Sequence, residues 1–94
     1  MLLSQVGFQY SRAVLEALAT HGVQPTVITR PALVHEFVND LYRYELRRLR
    51  SSYIHGEIPK NNYSSRIIEL RKKYLLVSLP LRHWAVQEKV SRSV

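Results

Sequence analysis

Apolar residues recur at helical spacing along two long stretches of the chain. Between Pro31 and Ile54 no glycine or proline interrupts the sequence, and an apolar seam runs through the stretch. The seam consists of Val34, Val38, Leu41 and Leu49. A second stripe, at positions i, i+4, i+7 and i+11, consists of Tyr63, Ile67, Leu70 and Tyr74. Because residues at this spacing share one face of an α-helix, the pattern predicts helices over 31–54 and 59–74.

Glycine and proline mark the ends of these helices and of a third. Gly22 and Gly56 each follow a helical window, and each is followed three residues later by a proline. Glycine readily adopts the left-handed conformation that ends many helices, and proline cannot continue one. The sequence therefore predicts a first helix over 8–21 and a turn at Gly56. Pro80 opens a short C-terminal helix, in which Trp84 anchors the end of the chain to the core.

We therefore expect one all-α domain that covers residues 1–94, with ends that fray at 1–6 and 91–94. It is a small three-helix domain in which the long central helix 31–54 forms an antiparallel hairpin with helix 59–74. A short C-terminal helix follows. The stretch Thr26-Val27-Ile28-Thr29 is β-prone but short, and the sequence allows either a linker or a short strand there.

The composition fits a small domain and excludes several kinds of chemistry. The chain has 94 residues, of which 46% are hydrophobic, and it has no cysteine. Without cysteine there are no disulfides, no thiol catalysis and no cysteine-bound metals. No apolar run reaches the roughly 18 residues that a membrane-spanning helix needs, and the first residues do not resemble a signal peptide. We expect a cytoplasmic protein that does not bind membranes.

The basic charge lies almost entirely in the second half of the chain. Residues 1–42 hold two arginines against three acids, a net charge of −1. Residues 43–94 hold twelve lysines or arginines against four acids, a net charge of +8. A basic segment of this kind indicates a polyanionic partner, although a solvated face with no partner has the same composition.

Arginines line one edge of the long predicted helix. Arg43, Arg47 and Arg50 stand at i, i+4 and i+7. Arginine binds phosphate through two parallel hydrogen bonds, so this edge is a candidate site for the backbone of DNA or RNA. The full set of predicted nucleic-acid-binding residues is Arg43, Arg47, Arg48, Arg50, Arg66, Arg71, Lys72 and Lys73. About five phosphate contacts would give a slope of roughly −4 to −5 for log affinity against log salt concentration.

Nothing in the sequence predicts catalysis, a metal site or a cofactor. The four histidines form no H-x-x-x-H or H-E-x-x-H pair, and two of them stand at predicted helix ends. There a histidine interacts favourably with the negative end of the helix dipole. Glycine-rich phosphate loops and the nucleophile elbow are also absent. We therefore expect a protein that is not an enzyme.

A second function remains open, that of a helical adaptor or assembly factor with an acidic protein surface as its partner. Its predicted interface lies on the apolar side of the long predicted helix and could also hold a homodimer together. The interface residues are Val34, Phe37, Val38 and Leu41. Since tyrosine is favoured at interfaces, the six tyrosines fit this function as well.

Two short patterns resemble known families. Leu41-Tyr42-Arg43 is similar to the tripeptide of the LYR family of mitochondrial assembly factors, which implies a helical assembly factor. In that family the tripeptide lies early in the first helix and a phenylalanine commonly follows; here it lies in the second helix and no phenylalanine follows Phe37. A strand at 26–29 followed by two helices resembles the ribbon-helix-helix repressors, which implies a DNA-binding dimer. Neither resemblance carries site residues over to this chain.

Overall fold

The computed structural model describes residues 5–90 of the chain. Its elements are strand β1 (Gln5–Tyr10), helices α1 (Arg12–Thr20), α2 (Pro31–Ile54), α3 (Lys60–Lys73) and α4 (Leu75–Ser78), a 3₁₀ turn (Leu81–His83) and strand β2 (Ala85–Val90). The described chain is therefore mostly helical, with four α-helices. The predicted helix 31–54 is confirmed at both ends, and α3 is one residue shorter at each end than predicted.

Two compact units make up the described chain. The first unit contains the described part of residues 1–35 and 79–94, and the second unit contains residues 36–78. Strands β1 and β2 belong to the first unit and pair in antiparallel register, from Gln5 opposite Val90 to Tyr10 opposite Ala85. This sheet corrects the all-α prediction. It also corrects the predicted fraying of residues 5 and 6, which lie in β1; residues 1–4 and 91–94 lie outside the described residues.

The first helix begins later than predicted, because Ser11 caps it. The Ser11 side chain accepts a hydrogen bond from the backbone N–H of Val14 at 3.2 Å, and the Ser11 backbone is extended. Serine is a strongly preferred N-cap residue. Residues 8–10, predicted as helix, instead belong to β1. Tyr10 is buried there, and its hydroxyl donates to the carbonyl of Thr29 at 2.5 Å.

Residues 26–29 form a turn rather than a strand. The Thr29 N–H donates to the Thr26 carbonyl at 3.0 Å, and the Thr26 N–H donates to the Thr29 hydroxyl at 2.9 Å. Such side-chain bonds to nearby backbone favour a turn over a sheet ladder. The strand that carried the resemblance to ribbon-helix-helix repressors is therefore not found here.

Trp84 is buried in the core, as predicted, although the predicted C-terminal helix is only a 3₁₀ turn that leads into β2. The Trp84 side chain is fully buried, and its Nε1–H donates to the carbonyl of Leu79 at 3.0 Å. The ring of His35 lies against it, with ring centres 5.3 Å apart. Other buried side chains of the first unit are Tyr10, Val14, Leu18 and Val34.

Gly56 adopts the left-handed conformation predicted for the residue that ends α2. Its φ is +74°, its N–H donates to the carbonyl of Tyr53 at 3.0 Å, and the N–H of Glu57 donates to Ser52 at 2.8 Å. These two bonds define a Schellman motif. Gly22 ends α1 in the same way, with φ +74°. Nδ1 of His55 lies 2.7 Å from the carbonyl of Ser51, which places this histidine at the helix end as predicted.

Replacing Gly56 by alanine is expected to destabilise the protein by about 1 kcal/mol, because alanine, unlike glycine, is strained at the left-handed φ of this position. A Cβ at Gly56 would meet nothing within 4 Å, so no steric clash adds to the effect. Urea denaturation followed by circular dichroism measures the change. The matched control is Gly7→Ala, since Gly7 lacks a positive φ and its Cβ would make an ordinary 3.7 Å contact. Equal losses in the two variants would contradict the assignment.

In the second unit, aromatic pairs connect α2 with α3 and with the residue that follows it. Tyr53 and Tyr63 stack with ring centres 4.3 Å apart and planes 7° apart. The ring centres of Tyr42 and Tyr74 lie 5.3 Å apart, and Tyr74 directly follows α3. Tyr53, late in α2, thus contacts Tyr63, early in α3, and Tyr42, earlier in α2, contacts the residue that follows α3. Buried side chains of this unit are Val38, Ile58, Leu70, Tyr74 and Leu76.

Candidate nucleic-acid interface

All eight basic residues predicted to bind nucleic acid lie in the second unit, and all eight are exposed. This unit holds nine lysines or arginines against five acids, a net charge of +4. Four of the predicted residues lie on α2 and four on α3. They are not all brought together, and they divide into three groups by their surroundings.

The first group is the arginine row, Arg43, Arg47 and Arg50, on the solvent side of α2. Helical spacing places successive members about 6 Å and 4.5 Å apart along the helix axis. None of the three has a hydrogen-bond or ion-pair partner among the side chains that the structure describes. Their guanidinium groups are therefore available to a ligand.

The second group, Arg48, Arg66 and Lys73, lines a cleft of about 570 Å³ in the second unit. The other lining residues are Glu45, Leu49, Glu69 and Leu70. Arg48 lies near the ring of Tyr44, with its guanidinium carbon 5.8 Å from the ring centre, in a cation–π arrangement. Since two acids share the cleft with three cations, it is less favourable to a polyanion than the arginine row.

Lys73 is held by Glu45. Its Nζ lies 3.3 Å from both carboxylate oxygens of Glu45, and 5.5 Å from the ring centre of Tyr74. The hydroxyl of Tyr74 also donates a hydrogen bond to this carboxylate. This cluster could not be predicted from the sequence, because Glu45 is separated from Lys73 and Tyr74 by 28 and 29 positions. No local spacing could reveal it.

The Glu45 contact predicts a dependence of stability on alkaline pH. Burial, the hydrogen bond to Glu45 and the charge of Glu45 together raise the pKa of Tyr74 from 10.0 to about 12. A group whose pKa is raised by folding contributes stability below its unfolded pKa and loses that contribution as pH rises through the folded value. We expect part of the free energy of unfolding to be lost between pH 10 and about pH 12.

Urea denaturation at several pH values measures this loss in the wild type and in Tyr74→Phe. The phenylalanine variant should lack the Tyr74 component and show a flatter profile between pH 10 and pH 12. The matched control is Tyr44→Phe, since the Tyr44 side chain is 53% exposed. If Tyr74→Phe left the profile unchanged, the hydroxyl of Tyr74 would not be coupled to folding.

The third group, Arg71 and Lys72, lies in the last turn of α3. Cations there interact favourably with the negative end of the helix dipole, so helix stabilisation accounts for their position without a ligand. Neither residue lines the cleft.

Of the four apolar residues predicted as an interface, two are buried and two are at least partly exposed. Val34 and Val38 are buried, at 5% and 0% exposure, so their side chains are used inside this chain. Leu41 is half-buried and Phe37 is 52% exposed. Only the latter two could contact a partner.

The described residues contain no group of three His, Cys, Asp or Glu side chains that could hold a metal ion. Within the same part of the chain, no helix combines the length and apolar character needed to cross a membrane. Compared with known proteins, the chain matches no family model, no curated protein and no solved structure. The described part of the chain is mostly helical, and its helix α2 exposes a row of arginines.

Proposed function

We propose that this protein is not an enzyme and that it binds nucleic acid through the arginine row of α2. The observation that carries the proposal is that Arg43, Arg47 and Arg50 are exposed, lie on one helix edge and have no partner within the described chain. Arginine side chains at this spacing can contact successive phosphates along a strand. Such contacts position a protein on nucleic acid without reading its sequence.

Other cations of the second unit support the row. Arg48 and Arg66 contribute positive charge from the cleft, and Tyr44 offers a half-exposed ring on which a base could stack. Lys73 contributes least, since Glu45 already pairs with it. The proposed interface is therefore centred on α2 rather than spread evenly over eight residues.

The test is a titration of labelled single-stranded DNA, duplex DNA and RNA with the protein, followed by fluorescence anisotropy at low and moderate salt. Binding that weakens steeply with salt supports the proposal, because counterion release dominates phosphate contacts. No binding to any of the three nucleic acids at low salt would overturn it.

A second candidate, a protein adaptor, is supported by the exposed aromatic residues of α2. Phe37 and Tyr44 are 52% and 53% exposed on the helix that carries the arginine row. Aromatic and arginine side chains together are typical of protein interfaces. An acidic protein surface would be the partner, and failure of all three nucleic acids in the titration would favour this candidate.

A further inference from the structure

A row of four charged residues on α2 is its own electrostatic complement when reversed. The row consists of Glu36, Asp40, Arg43 and Arg47, at spacings of four, three and four. All four side chains are exposed, and this spacing places them on one side of the helix. Along the chain the order is two acids followed by two arginines. In a copy that runs in the opposite direction the order is reversed, so each acid lies opposite an arginine. Its midpoint lies between Leu41 and Tyr42.

A second row, made of three apolar side chains, runs beside this charged row. It consists of Phe37, Leu41 and Tyr44, at spacings of four and three, which is the spacing at which paired helices meet. Phe37 and Tyr44 are each about half exposed, and Leu41 is partly exposed. Single exposed apolar residues are ordinary on a protein surface. Three on successive turns next to a self-complementary charged row point to a helix partner.

We propose that a second copy of this chain docks on this face of α2, with the two helices antiparallel. In that arrangement Glu36 faces Arg47 of the second copy, and Asp40 faces Arg43 of the second copy. The twofold axis repeats both contacts, which gives four ion pairs. Phe37 then lies beside Tyr44 of the second copy, and Leu41 beside its own counterpart.

The charges also exclude the parallel arrangement. Two parallel helices in register would place each acid against the same acid and each arginine against the same arginine. Like charges across an interface are unfavourable, so the charged row selects the antiparallel orientation.

Self-association does not require nucleic acid, but it uses two arginines of the proposed binding site. Arg43 and Arg47 cannot pair with acids of a second copy and with phosphates at the same time. Nucleic acid is therefore expected to shift the protein from dimer to monomer. The dimer is a form in which the binding surface is partly covered.

Charge-reversal variants test the pairing by sedimentation equilibrium at low salt without nucleic acid. The acid variant is Glu36→Arg with Asp40→Arg, and the arginine variant is Arg43→Glu with Arg47→Glu. Each variant alone should self-associate at least tenfold more weakly than the wild type, because all four pairs become repulsive. An equimolar mixture should form a heterodimer, since one chain then presents four cations and the other four anions.

A matched control keeps the total charge of the arginine variant and moves the change elsewhere. Arg30→Glu with Arg82→Glu reverses two exposed arginines of the first unit and should leave self-association unchanged. A wild type that stays monomeric at several hundred micromolar would overturn the proposal. So would a mixture that fails to form heterodimers.

Cysteine cross-linking tests the orientation, because the chain has no cysteine of its own. Phe37→Cys and Tyr44→Cys chains should form a disulfide with each other when they are mixed and oxidised. Phe37→Cys alone should cross-link poorly, since position 37 of an antiparallel pair does not meet itself. Efficient cross-linking of Phe37→Cys alone would show a parallel pair and contradict the proposal.

The acid variant separates this proposal from the proposed function. It loses the self-complementary charges but keeps every arginine, so it should remain monomeric and still bind nucleic acid. A wild type that dimerises without binding nucleic acid would leave only the proposed function wrong. A wild type that binds nucleic acid but never dimerises would leave only the dimer wrong.

Discussion

Replacing Arg43, Arg47 and Arg50 together by glutamate should weaken nucleic-acid binding by at least a hundredfold at low salt. Each reversal removes a phosphate contact and adds a repulsive charge, so three reversals lower the protein charge from +7 to +1. All three side chains are exposed and lack partners within the described residues, so the helical circular dichroism spectrum should be retained. Fluorescence anisotropy with labelled DNA and RNA measures the loss.

The matched control makes the same charge change on another surface. Arg12, Arg30 and Arg82 are exposed arginines of the first unit, and reversing all three also gives a net charge of +1. If the arginine row is the site, this control should retain most of the affinity. Equal losses in the two triple variants would mean that overall charge governs binding and that α2 has no special role.

Replacing Trp84 by alanine should destabilise the protein by about 3–5 kcal/mol, the usual cost of removing a fully buried large aromatic side chain. The Trp84 side chain has no exposed surface, and its loss would also leave the carbonyl of Leu79 without the indole donor. Small domains have only about 5–15 kcal/mol of stability, so a large part would be lost. Circular dichroism should follow the urea transition, since Trp84 is the single tryptophan and fluorescence would lose its probe.

Two further variants check the cause of that loss. Trp84→Phe keeps most of the apolar volume but removes the Nε1–H donor, so it should cost clearly less than alanine. Val86→Ala, at a side chain that is 64% exposed, should change stability by no more than about 0.5 kcal/mol. A Trp84→Ala variant as stable as Val86→Ala would show that Trp84 does not anchor the chain.

The helices with local signals could be predicted from the sequence. The stretch 31–54 has no breaker and ends at Gly56, so its bounds follow from backbone chemistry alone. The sheet could not be predicted, because β1 and β2 lie some 75 positions apart and residues 8–10 also fit a helical pattern. Helix α1 begins after Ser11 because the Ser11 side chain caps it, so the preceding residues are strand rather than helix and pair with β2.

The candidate site also has one part that local sequence predicts and one part that depends on distant packing. The arginine row depends only on spacing along one helix, so sequence alone could locate it on a face. The Glu45 contacts with Lys73 and Tyr74 depend on how distant segments pack, and only the fold reveals them. The burial of Val34 and Val38 likewise could not be distinguished from an exposed seam, because an apolar stripe looks the same whether its own chain or a partner covers it.

The salt dependence of the affinity is the sharpest test of nucleic-acid binding through the arginine row. Affinities of the wild type and of the Arg43, Arg47 and Arg50 triple variant for one DNA duplex are measured over a range of salt concentrations. Binding through the arginine row predicts a wild-type slope of roughly −4 to −5 for log affinity against log salt concentration. In the variant the slope should be less steep by about three. A wild-type slope near zero, or the same slope in both proteins, would contradict nucleic-acid binding through the arginine row.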